Sequence, residues 1–428
     1  MPTATRSALD RFALLDRFRH LRARTRELFT LLHDDVYYER PIALRNPVVF
    51  YEGHLPAFAV NTLIRRALGE PGVDPDLEVI FARGIDPDTE AAAVARGNPA
   101  WPSRETVAAY ASEADRLIEA AIASADLERA DNPLLDRAQA VWAILEHEEM
   151  HQETLAYMWH QLPHSAKRKP PAYVTLPDAP TRADSGGNIR VPAGRALIGT
   201  PDEAPFAWDN ERPSFSVDVP AFTMDVDNVT NAAFMEFVEA GGYREPRWWR
   251  DEDWAWVREE AVEHPSFWMR EGTRWRWRGM FEAVPLPGDW PVYVTWAEAT
   301  AFAAWRGARL PSEAEYVRAS EGTGLGNCDF ERWDPEPIGV RRNSVSDHGI
   351  RDLAGNGWEW TSDVFAPFPG FTALPSYPEY SADFFDGAHF VLKGASPVTV
   401  RSLVRPGFRN WFRPRYPYVY ATFRCVRR

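Results

Sequence analysis

Apolar residues recur at helical spacing over four stretches of the first 165 positions, and this pattern predicts helices from about Leu9 to Leu32, His54 to Leu68, Ser103 to Ile122 and Pro133 to Leu162. Two starts carry capping chemistry: Ser103 stands just before Glu105 and Thr106, and Asn132-Pro133 sets a proline where a first-turn N–H has no partner to lose. Gly69 to Pro102, rich in Pro, Gly and Asp, reads as a long loop, and long ordered loops are often functional. The periodicity then lapses. Ala166 to Gly187 mixes basic residues with Pro and Gly, the composition of a linker. Beyond it come short apolar runs such as Arg190 to Ile198 and Phe215 to Met224. Only Asn231 to Ala240 and Trp296 to Arg306 read there as helices. The chain is therefore expected to divide into a helical region 1–165, a linker 166–187 and a region 188–428 with little regular secondary structure, α+β overall. Aromatic side chains and loop hydrogen bonds must hold that last region together, because ladders are few.

Charge narrows the function classes. With 48 Lys and Arg against 62 Asp and Glu, the 428-residue chain carries a net charge of −14, which disfavours a nucleic-acid partner. No run is long and apolar enough to cross a membrane, and Arg6, Asp10 and Arg11 stand where a signal peptide needs an apolar segment. The two cysteines, Cys328 and Cys425, make no disulfide framework, so a cytoplasmic home is expected.

The strongest chemical signal is His147-Glu-Glu-Met-His151 on the fourth predicted helix. Residues four apart share one helical face, so both imidazoles can reach one ion. His54, flanked by apolar residues, supplies a third imidazole. Three neutral imidazoles without a carboxylate suit zinc, iron or copper, and a facial arrangement on iron leaves positions for dioxygen and substrate. The same five residues match the His-Glu-x-x-His pattern of zinc proteases with Glu148 as base, but the helix ends at Pro163 with no evident glycine turn and third His or Glu ligand beyond it. His160 and His164 are expected on the surface at the helix end.

These residues resemble a known family. An N-terminal bundle of the DinB type bearing His54 and His147-x-x-x-His151, followed by a domain similar to the formylglycine-generating enzyme (C-type-lectin-like), resembles the non-heme iron sulfoxide synthases of ergothioneine and ovothiol biosynthesis. The C-terminal motifs that carry the likeness include Asp209-Asn-Glu-Arg-Pro213, Pro291-Val-Tyr-Val-Thr-Trp296, Arg309-Leu-Pro-Ser-Glu-Ala-Glu315, Gly355-Asn-Gly-Trp-Glu-Trp360 and Phe408-Arg-Asn-Trp411 leading to Phe423-Arg-Cys425. The resemblance implies an Fe(II) enzyme with His54, His147 and His151 as ligands. It would use dioxygen to join a thiol to the imidazole of hercynine or histidine and oxidise the sulfur to a sulfoxide. It implies a proton-donating tyrosine, Tyr377 ahead of Tyr380, and a substrate site at Asn410 and Trp411. Met150 stands where ergothioneine enzymes commonly have glutamine, and Phe412 where enzymes using γ-glutamylcysteine commonly have aspartate. Cysteine is therefore the expected donor, with Arg413 and Arg415 as carboxylate clamps. A selenium donor, a zinc- or nickel-dependent thiol transferase or hydrolase of the DinB type, and a non-catalytic binding module are the other readings. Trp358 and Trp360 read as structural filling, and Cys328 and Cys425 as non-catalytic, against a formylglycine-generating activity.

Overall fold

The computed structural model describes residues 9–82, 100–176 and 187–427; the rest of the expected loop before Pro102, most of the linker's Gly/Asp stretch and Arg6 lie outside the described residues. The chain forms two compact units, Met1–Pro170 with Pro375–Pro378, and Pro171–Leu374 with Glu379–Arg428. No described helix is long and apolar enough to cross a membrane.

The first unit is built on α1 (Arg11–Thr30), α2 (Val48–Ala59), α3 (Pro75–Ile80), α4 (Arg104–Ser124) and α5 (Gln139–Gln161). Both α1 and α2 pack against α4 and α5, which makes the expected bundle. Its core takes Leu14, Phe18 and Leu21 from α1, Ile118 and Ile122 from α4, and Val141 and Ile144 from α5. Each such buried side chain contributes roughly 1.5–3 kcal/mol. Ser103 caps α4 as its position foretold, accepting from the Thr106 N–H at 3.2 Å.

Two helix starts differ from expectation. α2 begins at Val48, so His54 sits at its middle and not at its start. The helix passes Pro56, whose missing N–H removes one backbone bond, and continues in π spacing over Val60–Leu68 to Gly69, which takes the left-handed conformation at φ 71°. The second difference is at α5. Pro133 lies in a turn where the Asn132 side chain accepts from the Leu134 N–H at 3.0 Å, and Arg137 and Ala138 adopt positive φ before the helix opens at Gln139.

The second unit is mixed and sparse in ladders. Its strands are β1 (Asn188–Val191), β2 (Gly194–Ile198), β3 (Phe215–Val219), β4 (Phe222–Asp225), β5 (Trp268–Glu271), β6 (Arg274–Arg278), β7 (Ala283–Pro285), β8 (Gly357–Val364), β9 (Phe390–Ala395), β10 (Asn410–Phe412), β11 (Ala421–Thr422) and β12 (Val426–Arg427). They form small sheets ordered β10-β9-β8-β11, β1-β4-β12, β5-β6-β7 and β2-β3. Helices α6 (Asn231–Glu239) and α8 (Trp296–Trp305) fall where expected, while α7 (Asp251–Glu259), α9 (Glu313–Ala319) and the single turn α10 (Glu379–Ala382) are additional. Buried tryptophans do the filling: Trp208, Trp268, Trp277, Trp290, Trp358 and Trp360. Trp360 donates its indole N–H to the Val294 carbonyl at 2.9 Å, in keeping with a structural role. The motifs lock one another, since Glu359 on β8 takes both arms of Arg424 at 2.7 Å with neither side chain exposed.

Candidate metal centre

Helix α5 has two faces with different tasks. Toward α1, Glu148 accepts from the Arg22 guanidinium at 2.9 Å and the Thr25 hydroxyl at 2.6 Å, Gln152 donates to the Leu21 carbonyl at 3.0 Å, and Trp159 donates to the Leu28 carbonyl at 3.1 Å. Arg22 is held in turn by Asp115 of α4 at 2.7 Å. These bonds fix the rotation of α5, so the face about a right angle away carries His147 and His151 toward α2. There they meet His54, and one ring nitrogen from each of the three lies within 4.8 Å of the others.

Packing and hydrogen bonding orient the rings. His147 stacks on Phe58 at 3.5 Å between centroids and 9° between planes, and His54 stacks on Phe50 at 5.0 Å and 18°. Nδ1 of His54 is bonded to the Phe81 carbonyl at 2.9 Å, which leaves Nε2 to face the cluster. Burial lowers the pKa of His54 to about 4 against the weaker pull of the Phe81 carbonyl, and burial followed by the neighbouring imidazoles takes His147 and His151 well down. All three are therefore neutral near pH 7, with lone pairs available.

The residues present fit a metal ion. Three imidazoles, two buried and that of His151 half-buried, converge with no carboxylate in the set, and the buried Nδ1 of His151 has no hydrogen-bond partner among the described residues. Such a set suits a borderline metal such as zinc or iron. Tyr377 belongs to the same unit: its ring lies 5.3 Å from Phe58 and 6.2 Å from His147, edge toward face. The Arg66 guanidinium donates to the Ser376 carbonyl at 2.9 Å and tethers that turn. Glu148, the base of the protease reading, points into the Arg22 pair instead. His160 is a correction, because it is 1% exposed and not at the surface.

Comparison with known proteins places the chain in a family. Residues 174–428 match the sulfatase-modifying factor enzyme 1-like domain and residues 17–155 the DinB superfamily. The chain is 34% identical over 309 residues to the hercynine oxygenase of Mycolicibacterium smegmatis, covering 66% of this chain and 70% of that protein. The chain belongs to the hercynine oxygenase family of sulfoxide synthases. It is also 39% identical over 246 residues to the hercynine oxygenase of Mycolicibacterium thermoresistibile, covering 52% of this chain and 54% of that protein. Ergothioneine biosynthesis protein 1 of Neurospora crassa is 27% identical over 93% of this chain, which spans 55% of that longer protein.

The remaining expected positions of this sulfoxide synthase lie mostly in the second unit. Tyr380 stacks on Trp208 at 4.0 Å and meets Trp411 edge-on at 5.3 Å. Trp411 stacks on Phe365 at 4.2 Å, and Asn410, its neighbour on β10, accepts from the Trp411 N–H at 2.9 Å. Phe412 stacks on Tyr416 at 5.3 Å. Arg413 reaches Asp386 at 3.9 Å, while Arg415 is engaged by Asp253 at 2.9 Å and Glu252 at 3.5 Å. Met150 is half-buried on α5 between the two histidines. Cys328 and Cys425 are free and buried, and burial pushes the Cys328 thiol up to about 11 and the Cys425 thiol higher, against a reactive copper-binding pair. Sequence reasoning missed Phe50, Phe58 and Phe81. The first and second stand four residues either side of His54, a helical spacing that was available to find them, whereas Phe81 carried no local signal.

Proposed function

We propose that this chain is an Fe(II)- and dioxygen-dependent sulfoxide synthase that bonds the sulfur of cysteine to an imidazole carbon of hercynine or histidine and leaves that sulfur as a sulfoxide. The observation that carries the reading is the convergent trio of neutral imidazoles in the DinB-type unit of a hercynine oxygenase relative. Residues 1–165 would act as the metal-binding module and 188–428 as its sulfatase-modifying-factor-like companion, joined by 166–187, with small molecules as partners in the cytoplasm.

His54, His147 and His151 would hold the iron, which supplies a Lewis acid that lowers the thiol pKa and the electrons that dioxygen chemistry requires. The protein's own part is orientation and dryness. Phe50 and Phe58 wall the imidazoles and keep them neutral at working pH. Tyr377, whose ring lies 6.2 Å from that of His147, would donate a proton from its phenol oxygen. Asn410 and Trp411 would bind the imidazole substrate, where an aromatic face suits a trimethylammonium group that has no N–H to donate. An apolar Phe412 offers no partner for the free amine of a γ-glutamyl group, which favours plain cysteine. Arg413 and Arg415 would take its carboxylate.

The test loads the protein with Fe(II) anaerobically, offers hercynine or histidine against cysteine or γ-glutamylcysteine, and follows oxygen uptake and products by mass spectrometry. Uptake with a thiol-linked sulfoxide, abolished in His54→Ala and His151→Ala, supports the proposal and names both substrates. No uptake with any pair at full iron loading sinks it; an adduct with a selenol, or thiol transfer with zinc or nickel, would then name the replacement.

A further inference from the structure

We propose that Phe81 is a positioning residue for the metal centre: its main-chain carbonyl fixes the tautomer of His54, and its ring, seated on the bare backbone of Gly53, keeps that carbonyl in place. The inference rests on the three-histidine metal reading and extends it to residues with no side-chain donor.

The argument begins with an oddity of α2. Glycine inside a helix costs about 1 kcal/mol relative to alanine, yet Gly53 occupies the turn beside His54. Space explains it. A Cβ on Gly53 would lie 2.5 Å from both Cδ2 and Cζ of Phe81, so the aromatic ring rests where any other residue would put its side chain. Phe81 is fully buried there, with Trp101 stacked at 6.2 Å and 20° and Phe50 at 6.4 Å.

Phe81 also ends a short arm that is itself pinned. It follows α3, which Asp74 caps by accepting from the Asp76 and Leu77 N–H groups at 3.0 and 3.1 Å. The buried Glu78 accepts from the Val73 N–H at 2.7 Å and from Arg65 at 3.2 Å, tying the arm to the π-helical end of α2. The arm thus delivers one carbonyl to Nδ1 of His54 at 2.9 Å. A carbonyl only accepts, and a neutral imidazole carries a single N–H. Nδ1 must therefore hold the proton, and the Nε2 lone pair is committed to the cluster before any metal arrives. Outer partners of this kind typically change metal affinity by about 10–100-fold when lost.

The test uses the full-length protein and three variants. Gly53→Ala forces the ring off its seat, Phe81→Ala removes the ring while leaving a carbonyl, and Gly53→Ala/Phe81→Ala gives the new methyl room. Fe(II) and Co(II) affinities are measured anaerobically by competition with a chromophoric chelator. The His54 tautomer in the metal-free protein is read from long-range nitrogen–proton couplings in histidine-labelled samples. The expected result is a loss of about tenfold or more in affinity for Gly53→Ala, with a fall in the Nδ1–H signal of His54, a smaller loss for Phe81→Ala and substantial recovery in the double variant. Gly53→Ala within twofold of the parent, with the tautomer unchanged, would overturn the proposal. So would a double variant no better than Gly53→Ala. If Gly53→Ala does not fold, Phe81→Ala decides by the same two readouts. A parent protein that binds neither metal would instead sink the metal reading itself.

Discussion

At the scale of single residues, position on α5 separates chemistry from support. His147 and His151 face α2, whereas Glu148, one residue on, is spent on Arg22 and Thr25. Burial raises the Glu148 pKa and Arg22 opposes that rise, so the carboxylate is part of a buried pair and not a poised base. Glu148→Ala should therefore cost about 3 kcal/mol or more by leaving Arg22 short of a partner, while Fe(II) affinity stays within a few-fold of the parent. Thermal melting and metal titration check both halves; loss of the metal without loss of stability would return Glu148 to the centre. The two tyrosines divide in a similar way. Tyr377 lies beside Phe58 and His147, and Tyr380 is packed between Trp208 and Trp411. Tyr377→Phe should lower turnover roughly a hundredfold at unchanged melting temperature, as expected for loss of a proton donor. Tyr380→Phe should stay within a few-fold, and the reverse order would exchange their roles. His147 and His151 were legible because i,i+4 spacing is written in the sequence, and His54 through its apolar flanks and the family resemblance. The Phe81 carbonyl was not, since any residue supplies one and only the fold brings it 27 positions back to His54.

At the scale of elements, periodicity located the long helices but placed their ends poorly wherever a local rule was overruled. Pro56 would ordinarily break a helix, and the tertiary packing of α2 against α4 and α5 carries the chain through it. Asn132-Pro133 looked like a helix start and serves as a turn, because Arg137 and Ala138 interrupt the helical path. The short helix α9 was legible and overlooked: Ser312 and Glu315 form a reciprocal cap within a motif noticed only as a family mark. In the ladder-poor unit, buried Asp and Asn side chains bond the loops instead. Asn356 accepts from Glu336 N–H at 2.9 Å, and Asp352 accepts from Gly339 N–H at 2.8 Å. The Asp352 arrangement has a measurable cost. Burial pushes its carboxyl up from 3.8 to about 6 against its bond to Gly339. A folded-state pKa above the unfolded one favours the fold fully below pH 3.8, and that advantage is lost as pH climbs through 6. Asp352→Asn keeps an acceptor without the charge. It should be more stable than the parent at pH 7.5 by on the order of 2–3 kcal/mol, with the two melting curves converging near pH 4. A constant gap across that range would show that the carboxyl does not titrate as its burial requires.

At the scale of the whole molecule, the bundle is not one stretch of chain. Residues Pro375–Pro378 group with Met1–Pro170, although the sequence on either side of them belongs to the other unit. Nothing in the periodicity of the first 165 residues announced this, because the inserted piece is too short to carry a pattern and holds two prolines. Its contribution is still physical: Tyr377 packs on the bundle core beside Phe58, and the Ser376 carbonyl accepts from Arg66. A hydrogen bond of this kind contributes about 1 kcal/mol, and part-burial of an aromatic ring adds a similar amount. A fragment ending at residue 170 should thus retain the three histidines and bind Fe(II), yet melt several degrees below the same fragment carrying residues 371–382 on a flexible linker. Circular dichroism melts of the pair measure the difference, and the Arg66→Ala version of the linked fragment should lose about half of it. Equal melting temperatures would show that the bundle core closes without the insert. In that case the placement of Tyr377 would owe nothing to bundle stability, and catalysis alone would be left to account for it.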